Sequence, residues 1–267
     1  MSKKQVQAQF GANAAAYATS KVHAKGASLA RLVELVQPQP DWQVLDIATA
    51  AGHTAFAFAP RVAHVTATDI TPQMLPVAQK LADEKGITNL TLETADAEAL
   101  TYENGRFHLV TCRIAAHHFP NIPQFMAEAA RVLQRGGMLA VVDNVVPGSR
   151  LRGKKADLQR EAGKYVNAFE KLRDPSHGRC LSLDEWLDAF RIAGFTVLHQ
   201  ETAFKRMEFA PWAERMGASP ETITRLKAML IQAPQPVADF LTPQFTGDRI
   251  EFQLTEAIII GRLGIGE

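Results

Sequence analysis

The stretch "VLDIATAAGHT", Val44 to Thr54, decides the fold. Strand-favouring residues run into an acidic one, as at the carboxyl end of a buried parallel strand, and a turn follows. A nucleotide-like ligand asks for glycine in such a turn, because the backbone must approach it closely. Here alanines, Ala48 and Ala50, stand where two of the glycines would fall, and Gly52 alone remains.

Outward from this turn the chain alternates strands and helices. Leu29, Leu32, Val33 and Val36 recur at helical spacing, and Pro38 and Pro40 stop that helix. "WQVLDIA" is the first strand, with a helix near Thr54 to Ala59, and "VAHVTATDI" is the second. Thr71-Pro72 predicts a helix opened by a threonine N-cap, running to Lys85-Gly86. "NLTLETADA" and "FHLVTCRIA" are the third and fourth strands. "IPQFMAEAARVLQRGG" reads as an amphipathic helix closed by Gly136-Gly137, and "MLAVVDNVV" as the fifth strand. This alternation predicts a parallel sheet with helices on both faces.

After Pro147 the character changes. A charged helix, "LRGKKADLQREAGKYVNAFEKL", leads into the polar loop "RDPSHGRCLS", and Leu183 to Ala193 forms a helix capped at Gly194. "FTVLHQETAF" and "RIEFQLTEAIIIGRL" are two further strands, separated by a helical insertion from Pro211 to Phe240.

At 267 residues, 46% hydrophobic and 21% charged, the chain has the size and composition of one α/β domain with additions. A net charge of +1 gives no electrostatic case for nucleic acid or an anionic membrane as partner. Two cysteines, Cys112 and Cys180, make no disulfide scaffold and no zinc pattern. The opening residues lack the apolar core of a signal peptide, and the apolar run "AIII" is too short for a bilayer. The expectation is a cytoplasmic protein with free thiols and no metal, either a monomer or a homodimer.

In an open parallel sheet, ligands collect at the carboxyl ends of the strands. Asp69 ends strand two, 23 positions beyond Asp46, the spacing at which an acidic side chain accepts both hydroxyls of a ribose. Asp96 follows strand three, placed to accept from an exocyclic amine. Alanine suits the turn if φ stays negative, but its methyl crowds a phosphate. The turn also carries no Arg or Lys, so the ligand expected here has no phosphates.

Taken together, "VLDIATAAGHTAFAFA", "VTATDITPQMLPVAQ", "ADAEAL", "FHLVTCRIAAHHF" and "EAARVLQRGGMLAVVD" resemble the successive motifs of class I S-adenosylmethionine-dependent methyltransferases. The resemblance is strongest to the type 11 group, which includes the ubiquinone/menaquinone biosynthesis C-methyltransferases. "FGANAAAYATSKVHAKG" is similar to its N-terminal cap. The resemblance implies a doubly wound, Rossmann-like, mostly parallel seven-stranded sheet with an antiparallel last strand and a helical lid. It divides the chain into a cap over residues 1–36 and a cofactor-binding domain over 37–267, with lid insertions near 148–180 and 211–240.

What the resemblance implies for the site follows residue by residue. Asp46, Ala48, Ala50 and Gly52 would line the methionine part of the cofactor, S-adenosyl-L-methionine. Asp69 would bind the ribose, with Ile70 and Met74 on the adenine and Asp96 and Ala97 at its edge. Arg113 and Ala115 would sit near the sulfonium. His117 and His118, just after strand four, are the candidate catalytic residues, since histidine titrates near neutral pH. Adjacent side chains point apart, so one of the two is expected to face the acceptor. Candidate contacts to a small-molecule substrate are Tyr17 and His23 in the cap and Arg173, His177 and Arg179 in the polar loop; Phe10 is a further candidate to close over the cofactor. Two alternatives stand beside this reading: an NAD(P)-dependent oxidoreductase, which predicts glycines at 48 and 50 and a Tyr-x-x-x-Lys that the chain lacks, and a non-catalytic cofactor-binding protein.

Overall fold

The structure, a computed structural model, describes residues 2–12 and 26–264. β1 (Gln43–Ile47) lies at the centre, parallel to β2 (His64–Asp69) on one side and β4 (Phe107–Arg113) on the other. β3 (Leu90–Thr94) extends the sheet beyond β2, and β5 (Leu133–Val145) extends it beyond β4, all parallel. β8 (Arg249–Leu263) then runs antiparallel between β5 and β6 (Phe195–Glu208), giving the order β3-β2-β1-β4-β5-β8-β6. These are the seven strands that the alternation predicts. A three-residue β7 (Gln244–Thr246) adds a hairpin on β8. The strand order reverses between β1 and β4, so the connections after these two strands diverge and leave a crevice at their carboxyl ends.

Alternating side chains of the central strands feed two separate cores. Leu45, Ile47, Val110, Cys112, Leu139 and Val141 point to one face, where α5 (Ile122–Val132) and α7 (Leu183–Ile192) cover them with Phe125, Met126, Trp186 and Phe190. Val44, Val65, Ala67, Leu109, Ala140 and Val142 point to the other. There α2 (Ala27–Val36), α3 (His53–Phe58) and α4 (Met74–Glu84) supply Leu32, Val36, Phe58 and Ala78. Each such aliphatic or aromatic side chain contributes about 1.5–3 kcal/mol on full burial. α7 is started by a capping box, in which Ser182 and Glu185 exchange bonds with one another's backbone N–H.

A third core lies beyond the sheet. β6 and β8 overrun their neighbours as a two-stranded ribbon, paired from Phe204 and Thr255 out to Glu208 and Glu251. Against this ribbon pack α6 (Lys154–Arg173), α8 (Phe209–Glu214), α9 (Pro220–Ile231) and α10 (Gln235–Leu241). Its centre is Trp212, stacked on Phe169 at 4.8 Å between ring centroids and edge-on to Phe252 at 4.9 Å. α6 approaches the chain closely at Gly163, where a Cβ would stand 2.1 Å from the Pro147 carbonyl oxygen.

Several element boundaries differ from those the sequence predicts. α4 begins at Met74 rather than at Thr71-Pro72, where the chain makes a turn with i→i+3 bonds from the Met74 and Leu75 N–H groups to the Thr71 and Pro72 carbonyls. α5 ends at Val132, and β5 already pairs with β4 at Leu133, so Gly136, at φ +74°, lies inside the strand instead of closing the helix. The insertion after β6 consists of three helices. Both cysteines are buried free thiols.

Candidate functional site

The turn after β1 is built on two carboxylates. Asp46, buried beneath it, accepts from Thr49 Oγ1 at 2.6 Å and from Thr111 Oγ1 on β4 at 2.7 Å. Burial pushes its carboxyl up to about 6, against these hydrogen bonds and the nearby Arg113. Asp69 holds the other side, accepting from the Ala50 N–H at 2.9 Å and the Thr71 N–H at 2.8 Å. Clamped between them, Ala48 and Ala50 adopt φ of +56° and +48°. The expectation that these alanines keep negative φ is therefore corrected. They occupy the left-handed region as glycines would, at a cost of about 1–2 kcal/mol each. Gly52 begins α3 at φ +86°, where a Cβ would stand 2.3 Å from the Phe56 ring.

A cavity opens above this turn, with about 1460 Å³ of empty space when the solvent at its open mouth is counted. Ala48, Ala50, Asp69, Ile70, Asp96, Ala97, Arg113, Ala115, His117 and His118 all line it. Asp46, Gly52 and Met74 do not: Asp46 lies under the turn, Gly52 serves the entry to α3, and Met74 is buried at the start of α4. Asp69 uses two of the roughly four lone-pair directions of a carboxylate on backbone, which leaves acceptor capacity for hydroxyl groups. Asp96 accepts from the Glu98 N–H at 3.0 Å and pairs with Lys3 at 2.6 Å. Lys3 belongs to α1 (Lys3–Ala12), which lies over the cavity. Gln7 Nε2 donates to the Ile70 carbonyl at 2.8 Å, and the Phe10 ring stands edge-on to His118 at 4.9 Å.

At the end of β4 the backbone is strained again. Ile114, a β-branched residue at φ +54°, lines the cavity and donates its N–H to the Val142 carbonyl at 2.6 Å. A 3₁₀ turn over Ala116–His118 follows. Its geometry brings both histidines to the cavity, with ring centroids 4.2 Å apart, so the expectation that one of them points away is corrected.

Their surroundings differ. His117 is held by Asp143, at the end of β5, through Nδ1 at 2.6 Å and through its backbone N–H at 2.9 Å. Burial opposes its charged form, but the Asp143 charge and hydrogen bond outweigh burial and keep its pKa above the ordinary histidine value. In its neutral form, with Nδ1–H facing the carboxylate, the ring carries its lone pair on Nε2. His118 faces the Ser176 carbonyl through Nδ1 at 2.8 Å, and burial, with the neighbouring His117, drives its pKa well below the ordinary value.

The polar loop after α6 is buried rather than displayed. His117 O accepts from the Gly178 and Arg179 N–H groups, and Asp174 accepts from the Ser176 N–H at 2.8 Å. Of the three substrate candidates there, Arg173 lines the cavity, lying over the Trp212 ring at 4.6 Å. His177 does not. Its Nε2 meets Asn167 Oδ1 at 2.9 Å, and burial takes its pKa down to about 2. Arg179 pairs with Glu185 on the outside, because the loop turns away there. Tyr17 and His23 lie outside the described residues, whereas Phe10 lines the cavity.

Sequence reasoning missed Lys3, Asp143, Asn144, Lys205, Trp212 and Arg215. Asp143 carried a readable signal: like Asp46, it ends an otherwise apolar buried strand at the carboxyl edge of the sheet. Asn144 lines the cavity with a buried Oδ1 that has no hydrogen-bond partner. Among the described residues no cluster of three or more His, Cys, Asp or Glu side chains is placed to hold a metal, and no helix is long and apolar enough to cross a membrane.

The family described as "Methyltransferase domain" matches residues 44–137, from β1 to the glycines inside β5. The Bacillus subtilis (strain 168) protein named "uncharacterized methyltransferase YcgJ" is 32% identical over 254 residues, 94% of this chain and 96% of that one. The crystal structure of the B. subtilis YcgJ protein superposes with a TM-score of 0.80, at 30% identity, covering 90% of this chain and 99% of the other. The ubiquinone/menaquinone biosynthesis C-methyltransferase UbiE of Allorhizobium ampelinum is 39% identical over 118 residues, 42% of this chain and 46% of that enzyme. The oxidoreductase alternative falls with these findings. The chain belongs to the class I S-adenosylmethionine-dependent methyltransferases.

Proposed function

We propose that the enzyme methylates a carbon or oxygen atom of a small organic acceptor, with a ring-bearing metabolite favoured by the partial likeness to the UbiE enzyme. One observation carries this reading. A single cavity runs from the acidic strand ends of β2 and β3 to the buried His117–Asp143 pair after β4 and β5.

The cofactor supplies a methyl group already activated on a sulfonium. The chain's own residues then have three tasks. Asp69 accepts the ribose hydroxyls with its remaining lone pairs, Ile70 and Ala97 hold the adenine between apolar surfaces, and Asp96 faces its amine. The Ala48–Ala51 backbone receives the methionine part, and its lack of cations suits a ligand without phosphates. At the other end His117 Nε2 takes a proton from the acceptor when the reaction releases one, with Asp143 stabilising the imidazolium. His118, kept neutral, shapes the same wall. α1 covers the cavity and excludes water while the acceptor is held in line.

In this reading residues 1–36 act as a cap on a cofactor domain over 37–267, and the segments near 148–180 and 211–240 build the acceptor side. The proposed setting is the cytoplasm. Calorimetry with S-adenosylhomocysteine tests the cofactor assignment. Asp69→Ala is expected to weaken binding by about 1–3 kcal/mol through loss of charge-assisted hydrogen bonds. An unchanged affinity refutes the role of Asp69.

A further inference from the structure

The cavity is electrically two-ended. Its adenosine side carries Asp69, Asp96 and Glu98, the last two paired with Lys3, while its far side carries Arg173, Lys205 and Arg215; Arg113, bonded to Thr54 on α3, also lines it. Of these cations, Arg173, Lys205 and Arg215 come from the third core's elements, α6, β6 and the end of α8. The carboxylates nearest Arg173 and Lys205 stand behind the wall. Glu170 pairs with Arg173 at 3.2 Å and Glu256 approaches Lys205 at 3.8 Å, yet neither lines the cavity. Glu256 Oε2 has no hydrogen-bond partner, so this second pairing is a loose one. Among the described residues Asp174 is the one carboxylate lining that end, and two of its bonds go to Ser176.

The cationic groups also repel one another. Burial lowers the Lys205 pKa, and Arg113 and Arg215 add to that effect against the opposing pull of Glu256. Converging cations in a part-buried cavity are costly unless something negative meets them. Between them the wall is apolar, formed by Met207, Trp212 and Leu254, with Trp212 lying flat under the Arg173 guanidinium.

We propose that the methyl acceptor is a small organic acid, whose carboxylate sits among Arg173, Lys205 and Arg215 and whose apolar body lies against Met207, Trp212 and Leu254. This inference rests on the methyltransferase reading of the cavity and adds the charge class of the substrate. It also assigns a use to the insertion helices: they carry the anion-recognising groups, while the sheet carries the cofactor-facing ones. A planar guanidinium over an indole is pre-organised for a carboxylate, because its donor fork is already fixed.

Full-length protein saturated with S-adenosylhomocysteine, titrated at low salt with benzoate and with benzyl alcohol, tests this by calorimetry. The two probes share a ring and differ in charge. Benzoate is expected to bind at least about tenfold more tightly than benzyl alcohol, and Lys205→Met to remove about that preference, whereas Lys205→Arg keeps it within about threefold. Thermal melts of both variants check that the fold survives. Equal affinities for the two probes, no benzoate binding at tens of millimolar, or indifference to Lys205→Met overturns the inference. If Lys205→Met instead weakens S-adenosylhomocysteine, the cations serve the cofactor's own carboxylate; the acid acceptor is then wrong while the cavity assignment stands. If the wild-type protein binds no S-adenosylhomocysteine, the methyltransferase reading of the cavity has itself failed.

Discussion

At the scale of single residues, the site spends stability on geometry. Ala48, Ala50 and Ile114 all carry positive φ, and all three line the cavity. Such conformations persist only where the surroundings over-determine them, here the Asp46 and Asp69 carboxylates and the Ile114–Val142 hydrogen bond. Asp143 is the residue whose removal says most about chemistry. If His117 is the base, it must be neutral to accept a proton, so activity falls as pH drops below its raised pKa. Asp143→Asn removes that support, leaving burial to lower the pKa. The acid limb of the pH–rate profile then moves to lower pH, and the plateau rate falls by about tenfold to 10²-fold as the base weakens and loses its orientation. A plateau loss with an unmoved limb points to a packing role instead. The same pair has a stability signature. A histidine whose pKa is raised by folding contributes fully below its unfolded value of about 6.5, and that contribution is lost as pH rises through the folded value.

At the scale of elements, α1 is the part whose position depends on the site itself. Four of its side chains reach across: Lys3 to Asp96 and Glu98, Gln7 to the Ile70 carbonyl, Gln9 to the Met216 carbonyl and Phe10 to His118. Only Val6 is buried, so the helix is held by polar contacts at its edges more than by a core. Such an element opens more easily than the sheet does. Removing residues 1–12 is therefore expected to leave the melting temperature within a few degrees and to speed S-adenosylhomocysteine dissociation by about tenfold or more, read by stopped-flow fluorescence. An unchanged dissociation rate removes α1 from the cofactor's cover.

At the scale of the whole molecule, the sheet and its cofactor side were legible in the sequence because each strand repeats one local rule. A run of β-branched and apolar residues ends in Asp46, Asp69 or Asp96, and the order of such runs along the chain dictates the crevice. The far side of the cavity was not legible, because its residues converge from elements distant in sequence. Lys205 on β6, Trp212 and Arg215 at α8, and Arg173 at the end of α6 meet through a third core that no periodicity announces. The polar loop misled for a related reason: "RDPSHGR" has a surface composition, but its Asp174, Ser176 and His177 are buried and bonded within the fold. Composition reports what a segment can bond to, and here most of the partners were protein.

In the proposed complex one cavity holds the cofactor at the ends of β1 to β3 and presents its sulfur to the His117–Asp143 pair. A crystal structure of the S-adenosylhomocysteine complex tests it directly. The ribose is expected on Asp69, the adenine between Ile70 and Ala97, and the sulfur facing His117 and Asn144. Adenine bound instead among Arg173, Lys205 and Arg215, or a sulfur turned away from His117, would contradict it.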